Sequence, residues 1–203
     1  MTRIVAGEAG GRRLSVPGGR GTRPTANRAR EGLFATVAAL RGTVTGARVL
    51  DLYAGSGAVG LEALSRGAAE VLLVESDPRA ARVIRENIEA LRLPGAQLLA
   101  DRVERALSRG LGERPPRDLV FADPPYAATD TEVQRVLAAL RDRGWLAPGA
   151  LVIIERSTRS GPVTWPAGYT ADRSRGYGEA TLWYGLAAGG EGMAESQAGS
   201  AGR

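Results

Sequence analysis

The run Phe121-Ala122-Asp123-Pro124-Pro125-Tyr126 places a carboxylate, a carbonyl with no competing amide hydrogen after it, and an aromatic ring within four residues. Two prolines fix φ and remove two N–H donors. What remains for a ligand is the Asp123 carboxylate, the Pro124 carbonyl and the face of Tyr126. That set suits a flat ring bearing an exocyclic amine, whose N–H groups point at the two acceptors while the ring stacks on tyrosine. The same tetrapeptide also reads as a rigid turn at a strand end, because Asp-Pro is a turn signal.

Upstream, Val49-Leu50-Asp51-Leu52 runs into Tyr53-Ala54-Gly55-Ser56-Gly57, an apolar strand entering a turn of small residues. A helix is expected from about Ala58, with Leu61, Leu64 and Ala68 on one face. Glycines there permit tight turning and close backbone approach to a ligand. No Gly-Lys-Ser/Thr follows, so a phosphate-binding loop is a weak reading. The next apolar strand, Val71-Leu72-Leu73-Val74, ends in Glu75, where an acid is placed to bond ribose hydroxyls. A third, Gln97-Leu98-Leu99-Ala100, ends in Asp101, which could accept from an adenine amino group. Helix capping is the alternative role for both acids.

In this order the motifs resemble those of class I S-adenosylmethionine-dependent amino-methyltransferases. The stretch Asp51 to Ala68 is similar to the RsmD family of bacterial ribosomal RNA guanine-N2 methyltransferases. So are Arg3-Ile4-Val5-Ala6-Gly7, Gly11-Arg12-Arg13-Leu14, Arg23-Pro24-Thr25, Arg28-x-Arg30-Glu31 and the late Arg175-Gly176-Tyr177-Gly178. Tyr53 stands where phenylalanine is common and Ala122 where a larger apolar residue is common; neither change removes a functional group. The resemblance spans roughly residues 3 to 186. It implies S-adenosylmethionine as cofactor, with Asp51, Tyr53, Gly55, Ser56, Gly57, Glu75 and Asp101 around it and Asp123, Pro124 and Tyr126 as catalytic residues. It implies 16S ribosomal RNA or an assembling 30S subunit as partner, with a 966-type guanine as target. The residues alone allow adenine N6, cytosine N4 or guanine N2. DNA base methylation, protein glutamine methylation and a non-catalytic RNA-binding assembly factor stand as alternatives. The chain leaves little room for a separate DNA-recognition domain, and asparagine rather than Asp123 would favour a glutamine substrate.

The chain has no histidine and no cysteine, so thiolate chemistry and the commonest metal ligands are excluded and no metal is expected. Catalysis must run on carboxylates, backbone groups, aromatics and arginine. Its 203 residues, 43% hydrophobic, suffice for one domain with a core. No apolar run reaches the ~18 residues of a membrane span, and no secretory signal core opens the chain. A cytoplasmic, monomeric protein is expected.

Residues 1–31 carry seven arginines against two glutamates, a surplus equal to the net charge of +5 for the whole chain. All 27 basic residues are arginine, a bias that a GC-rich genome also produces. A basic, glycine-rich leader on a neutral body is the footprint of a nucleic-acid-binding arm. Arg3, Arg12, Arg13, Arg23, Arg28 and Arg30 are the candidate RNA contacts. The segments around Gly10-Gly11 predict a hairpin-like lead-in, with a turn at Pro17-Gly18-Gly19.

These groups need a frame to hold them. Strands are expected near 48–53, 70–75, 96–100, 117–122 and 150–155, and helices near 58–66, 78–92, 102–110 and 130–142. Thr25 is placed to cap an earlier helix ending near Leu40. Such alternation implies an α/β, doubly wound, mostly parallel sheet. The resemblance adds a Rossmann-like class I methyltransferase fold with antiparallel edge strands near 169–174 and 179–186 and a small basic N-terminal extension. Residues 1–40 form that extension and its helix, 41–187 the methyltransferase domain, and 188–203 a disordered tail. Ligands then bind beyond the carboxyl ends of the strands, where Asp51, Glu75, Asp101 and Asp123 would share one rim. Tyr177 either borders that site or forms a plain strand-edge turn.

Overall fold

The computed structural model of the protein describes residues 2–18 and 24–189. Arg20, Arg23 and Gly19 lie outside the described residues, as does the expected tail from residue 190 onward.

The chain opens with two short antiparallel strands, β1 (Thr2–Arg3) and β2 (Arg13–Leu14), paired Thr2 to Leu14. The expected lead-in hairpin is present but narrower than its apolar pattern suggested. Helix α1 (Pro24–Arg41) follows. It starts at proline, whose fixed φ suits the first helical position, which puts position 25 within the first turn.

Alternation then governs the chain: β3 (Arg48–Leu52), α2 (Ala58–Ser65), β4 (Glu70–Val74), α3 (Pro78–Leu91), β5 (Ala96–Leu99), α4 (Val103–Ser108), β6 (Arg117–Ala122), α5 (Asp130–Asp142) and β7 (Leu146–Ser157). Two antiparallel strands close the sheet, β8 (Tyr169–Tyr177) and β9 (Ala180–Ala187). The order is β5-β4-β3-β6-β7-β9-β8, parallel from β5 through β7 and antiparallel beyond. Central strands such as Val71-Leu72-Leu73-Val74 are buried on both faces, as continuous apolar runs in parallel sheets require.

One face of the sheet packs against the leader, α1, α2 and α3 through Ile4, Leu33, Phe34, Leu61 and Ile84. The other packs against α4 and α5 through Val103, Leu107, Val133 and Leu137. The basic extension therefore shares the sheet's core. Tyr177 belongs to that packing: a Cβ added at Gly32 of α1 would lie 2.0 Å from its hydroxyl. It holds α1 against β8.

Strand order reverses between β3 and β6, because β4 and β5 extend one way from β3 while β6 and β7 extend the other. The crevice beyond that reversal is where open α/β sheets bind ligands.

Candidate active site

The loop after β3 lies on one side of this crevice and the Asp123 turn on the other. Backbone φ is positive at Tyr53 (59°), Gly55 (59°) and Gly57 (76°). Glycine adopts such angles freely, whereas a tyrosine there is rare and strained. Gly57 precedes α2 with no side-chain cap. An added Cβ at Gly57 would sit 3.0 Å from Leu73 Cδ2, so packing as well as φ calls for glycine. At Gly55 the nearest atom to an added Cβ is 4.0 Å away, so the surface above it is open.

Two acids shape this loop from beneath. The Glu75 carboxylate accepts the Gly55 N–H at 2.8 Å through Oε2 and the Asp77 N–H at 2.8 Å through Oε1. It thereby ties the glycine loop to the start of α3, which Asp77 caps through the amides of Arg79 and Ala80. Asp51 is 1% exposed, and its Oδ2 accepts the Gly60 N–H at 2.9 Å. An added Cβ at Gly60 would lie 3.1 Å from that oxygen. Asp51 thus acts through the first turn of α2 and does not face the rim directly. Burial pushes its carboxyl up to about 8, with Asp123 and Glu75 adding to the shift and the Gly60 amide opposing it.

Asp101, expected to face adenine, is drawn to α4. Its Oδ2 lies 3.0 Å from Arg109 and 3.6 Å from Arg105, and its Oδ1 accepts the Arg102 amide. Tyr53 packs with the core of the α4–α5 face, and its hydroxyl lies 3.4 Å from Glu104. Burial first, then Glu104, keeps that hydroxyl protonated.

Across the reversal, Leu52 of β3 pairs with Ala122 of β6, and the Asp123 N–H approaches the Leu52 carbonyl at 3.4 Å. Asp123 is therefore beside the glycine bend, with its side chain exposed. Pro124 is half-buried, and the Pro125 carbonyl accepts the Ala128 N–H to close a tight turn. Tyr126 is 81% exposed, the one large hydrophobic side chain so exposed among the described residues. Behind the turn, Thr129 and Glu132 form a reciprocal capping box that fixes the start of α5.

One acid of this rim went unread in the sequence. Ala122 pairs with Ile154 of β7, so Asp123, just past the end of β6, stands level with Glu155 within β7. Burial, then Asp123, raises the Glu155 carboxyl to about 8. Its signal was available: Val152-Ile153-Ile154-Glu155 is an apolar run followed by an acid, the sequence pattern that singled out Glu75.

The arginines divide. Arg3, Arg12, Arg13 and Arg28 are exposed. Arg12 also donates to the Leu91 carbonyl at 2.8 Å and to the Ala90 carbonyl, and so caps the end of α3. Arg30 is 5% exposed; it meets Glu62 at 3.4 Å and donates to Thr2 Oγ1 and the Arg3 carbonyl. The Arg30 guanidinium is thus buried against α2, whereas Arg12 remains at the surface.

Residues 2–185 match the sequence profile of a family described as Conserved hypothetical protein 95. The chain belongs to this family, RsmD. It is 36% identical over 177 residues to the ribosomal RNA small subunit methyltransferase D of Escherichia coli K12, covering 87% of this chain and 85% of that one. Identity to the Haemophilus influenzae protein of the same name is 33% over 171 residues, covering 83% and 84%. A solved Escherichia coli structure, provisionally described as methyltransferase yhhF, superposes with a TM-score of 0.80 at 33% identity, over 92% of this chain and 97% of that one. The fold is the Rossmann-like methyltransferase fold, with β9 inserted antiparallel between β7 and β8.

Proposed function

We propose that this member of a ribosomal RNA methyltransferase family methylates the exocyclic N2 of a guanine in 16S ribosomal RNA, with S-adenosylmethionine as donor. The observation that carries this reading is the exposed Asp123-Pro124-Pro125-Tyr126 turn held against the glycine bend by the Leu52 to Asp123 contact.

The residues present suit the cofactor. The open face above Gly55 leaves room for backbone approach, and the acids Glu75 and Asp123 give the crevice a negative field matched to a cation. When bound, S-adenosylmethionine supplies a methyl group on an already electrophilic sulfonium, so no histidine or metal is needed to activate it. Glu75 fixes the loop that would hold it and is the candidate for the ribose; the loop from Asp51 to Gly57 would cradle the methionine part.

On the other side, Tyr126 offers a stacking platform for an unpaired base, a contact worth about 1–3 kcal/mol. The Asp123 carboxylate and Pro124 carbonyl accept the two amine hydrogens. Charge-assisted hydrogen bonds of this kind contribute about 1.5–3 kcal/mol; their larger effect is to aim the nitrogen lone pair. As the nitrogen gains positive charge, the Asp123 carboxylate stabilises it. Arg3, Arg12, Arg13 and Arg28 form the surface available for RNA phosphates.

The test is labelled methyl transfer to small subunits from a strain lacking the gene, beside naked 16S RNA and duplex DNA, followed by nucleoside analysis. Label in N2-methylguanosine of the small subunit is expected. Label in another base, or in DNA, would overturn the target; no label with cofactor binding intact would favour the assembly-factor role.

A further inference from the structure

Asn87 lies in the interior of α3, where asparagine is a poor helix former, and it is 2% exposed. Its amide is used on every side. Oδ1 accepts the Ser15 N–H at 2.8 Å, while Nδ2 donates to the Ser15 carbonyl and to the Ser56 carbonyl, each at 3.0 Å. Ser15 follows β2 in the basic leader; Ser56 is the middle residue of the Gly55-Ser56-Gly57 loop. The orientation of the amide is set by its partners, since a flip would aim Oδ1 at two carbonyls. One side chain thus joins two segments 41 positions apart that have different tasks.

The leader also grips α2, the helix that leaves the same loop. Glu62 of α2, fully buried, accepts the N–H groups of Val5 at 2.7 Å and Ala6 at 3.0 Å. Ser65 exchanges bonds with Ala9 N and the Ala6 carbonyl. Gly7 comes so close that an added Cβ would lie 1.8 Å from the Ser65 carbonyl oxygen. The leader is therefore built onto both helices that flank the loop, and Asn87 is its direct link to the loop itself.

We propose that Asn87 is a positioning residue that couples the glycine loop to the leader, so that cofactor in the loop and RNA on the leader strengthen each other's binding. The inference rests on the function proposed above. Coupling between sites is reciprocal: a ligand that fixes the Ser56 carbonyl fixes Asn87, and with it Ser15.

The experiment uses the full chain and S-adenosylhomocysteine as probe. In the wild type, hydrogen exchange at residues 13–17 should slow on adding the probe, and small subunits should raise probe affinity at least about fivefold, the lower end of ordinary allosteric coupling. Asn87→Asp keeps an acceptor for the Ser15 N–H but loses both donors; it should bring the enhancement to within about twofold of none. Asn87→Gln, a longer amide, checks that the effect follows donor geometry, with coupling intermediate between the two. Probe binding with unchanged exchange at 13–17 in the wild type, a reading that needs no variant to fold, would overturn the coupling alone. So would full enhancement in Asn87→Asp. Failure of the wild type to bind the probe would instead overturn the functional reading, and this inference with it.

Discussion

The two banks of the crevice are built differently. On the β3–β4 side, polar groups are buried and answered: Glu75 takes two backbone N–H groups and Asp51 a third, and the glycine loop is tied to α2, to α3 and, through Asn87, to the leader. On the β6 side, Asp123 and Tyr126 stand exposed on a proline-stiffened turn, with a capped helix behind them. The first bank is complete before any ligand arrives. The second is rigid in its backbone and open in its side chains, as befits a surface that a large RNA must reach. Stability is invested in one bank and exposed acceptors in the other, so substitutions on the two banks should have separable effects.

The largest effect is expected on the open bank. Asp123→Asn would still orient an amine but supply no charge; kcat should fall about 10²–10³-fold, the usual cost of one lost electrostatic contact to a transition state. The affinity for S-adenosylhomocysteine, by titration calorimetry, should stay within about twofold. A collapse of that affinity with turnover preserved would place Asp123 on the cofactor bank instead. Tyr126→Ala should lower kcat/KM for small subunits about 5–150-fold, the equivalent of one lost base stack. Its unfolding midpoint should not move, since exposed positions change stability by less than about 0.5 kcal/mol.

On the packed bank and its supports the loss should appear as stability. Arg30→Ala removes a buried partner of Glu62, while Arg66 at 2.9 Å remains. Denaturant unfolding should show a loss of about 2 kcal/mol, in the range for hydrogen bonds to charged groups. By contrast, Arg3→Ala with Arg13→Ala should leave stability unchanged and flatten the salt dependence of RNA binding. The slope should change by roughly 0.7 per lost single-strand phosphate contact.

The packed bank also predicts a pH dependence. The Asp51 carboxyl rises from 3.8 to about 8 in the folded protein, so between these values the folded state binds more protons than the unfolded chain. Its contribution to stability is therefore full below pH 3.8 and is lost as pH rises through about 8. Glu155 acts with the same sign. Asp51→Asn, which can still accept the Gly60 N–H, should flatten the fall in unfolding free energy between pH 5 and pH 8. An unchanged slope would mean that Asp51 is ionised in the fold.

Most of the frame was legible because its strands and helices alternate in a regular order. A short run such as Val71-Leu72-Leu73-Val74, alternating along the chain with longer helical stretches, reads as a central strand buried on both faces, and Gly55-Ser56-Gly57 after a strand marks a sharp turn. The rim acids were legible as strand ends, but not their partners. Glu75 and Asp51 hold backbone amides that no side-chain pattern announces, and Asp101 is claimed by arginines one and two helical turns away. Arginine was the least legible residue. Arg3 and Arg30 carry the same charge, yet one is exposed and the other is buried on Glu62. The clue was Glu62 itself, a lone acid within Ala-Val-Gly-Leu-Glu-Ala-Leu-Ser, which needs a buried cation once α2 packs.

The open bank can act only where a nucleobase amine comes to rest on it. The most direct measurement is a structure of the protein with S-adenosylhomocysteine and its small-subunit substrate. The account predicts guanine N2 within about 3 Å of both the Asp123 carboxylate and the Pro124 carbonyl, with the ring lying on Tyr126 and the amine turned toward the sulfur. A base held elsewhere, with Asp123 facing solvent or the cofactor alone, would contradict it.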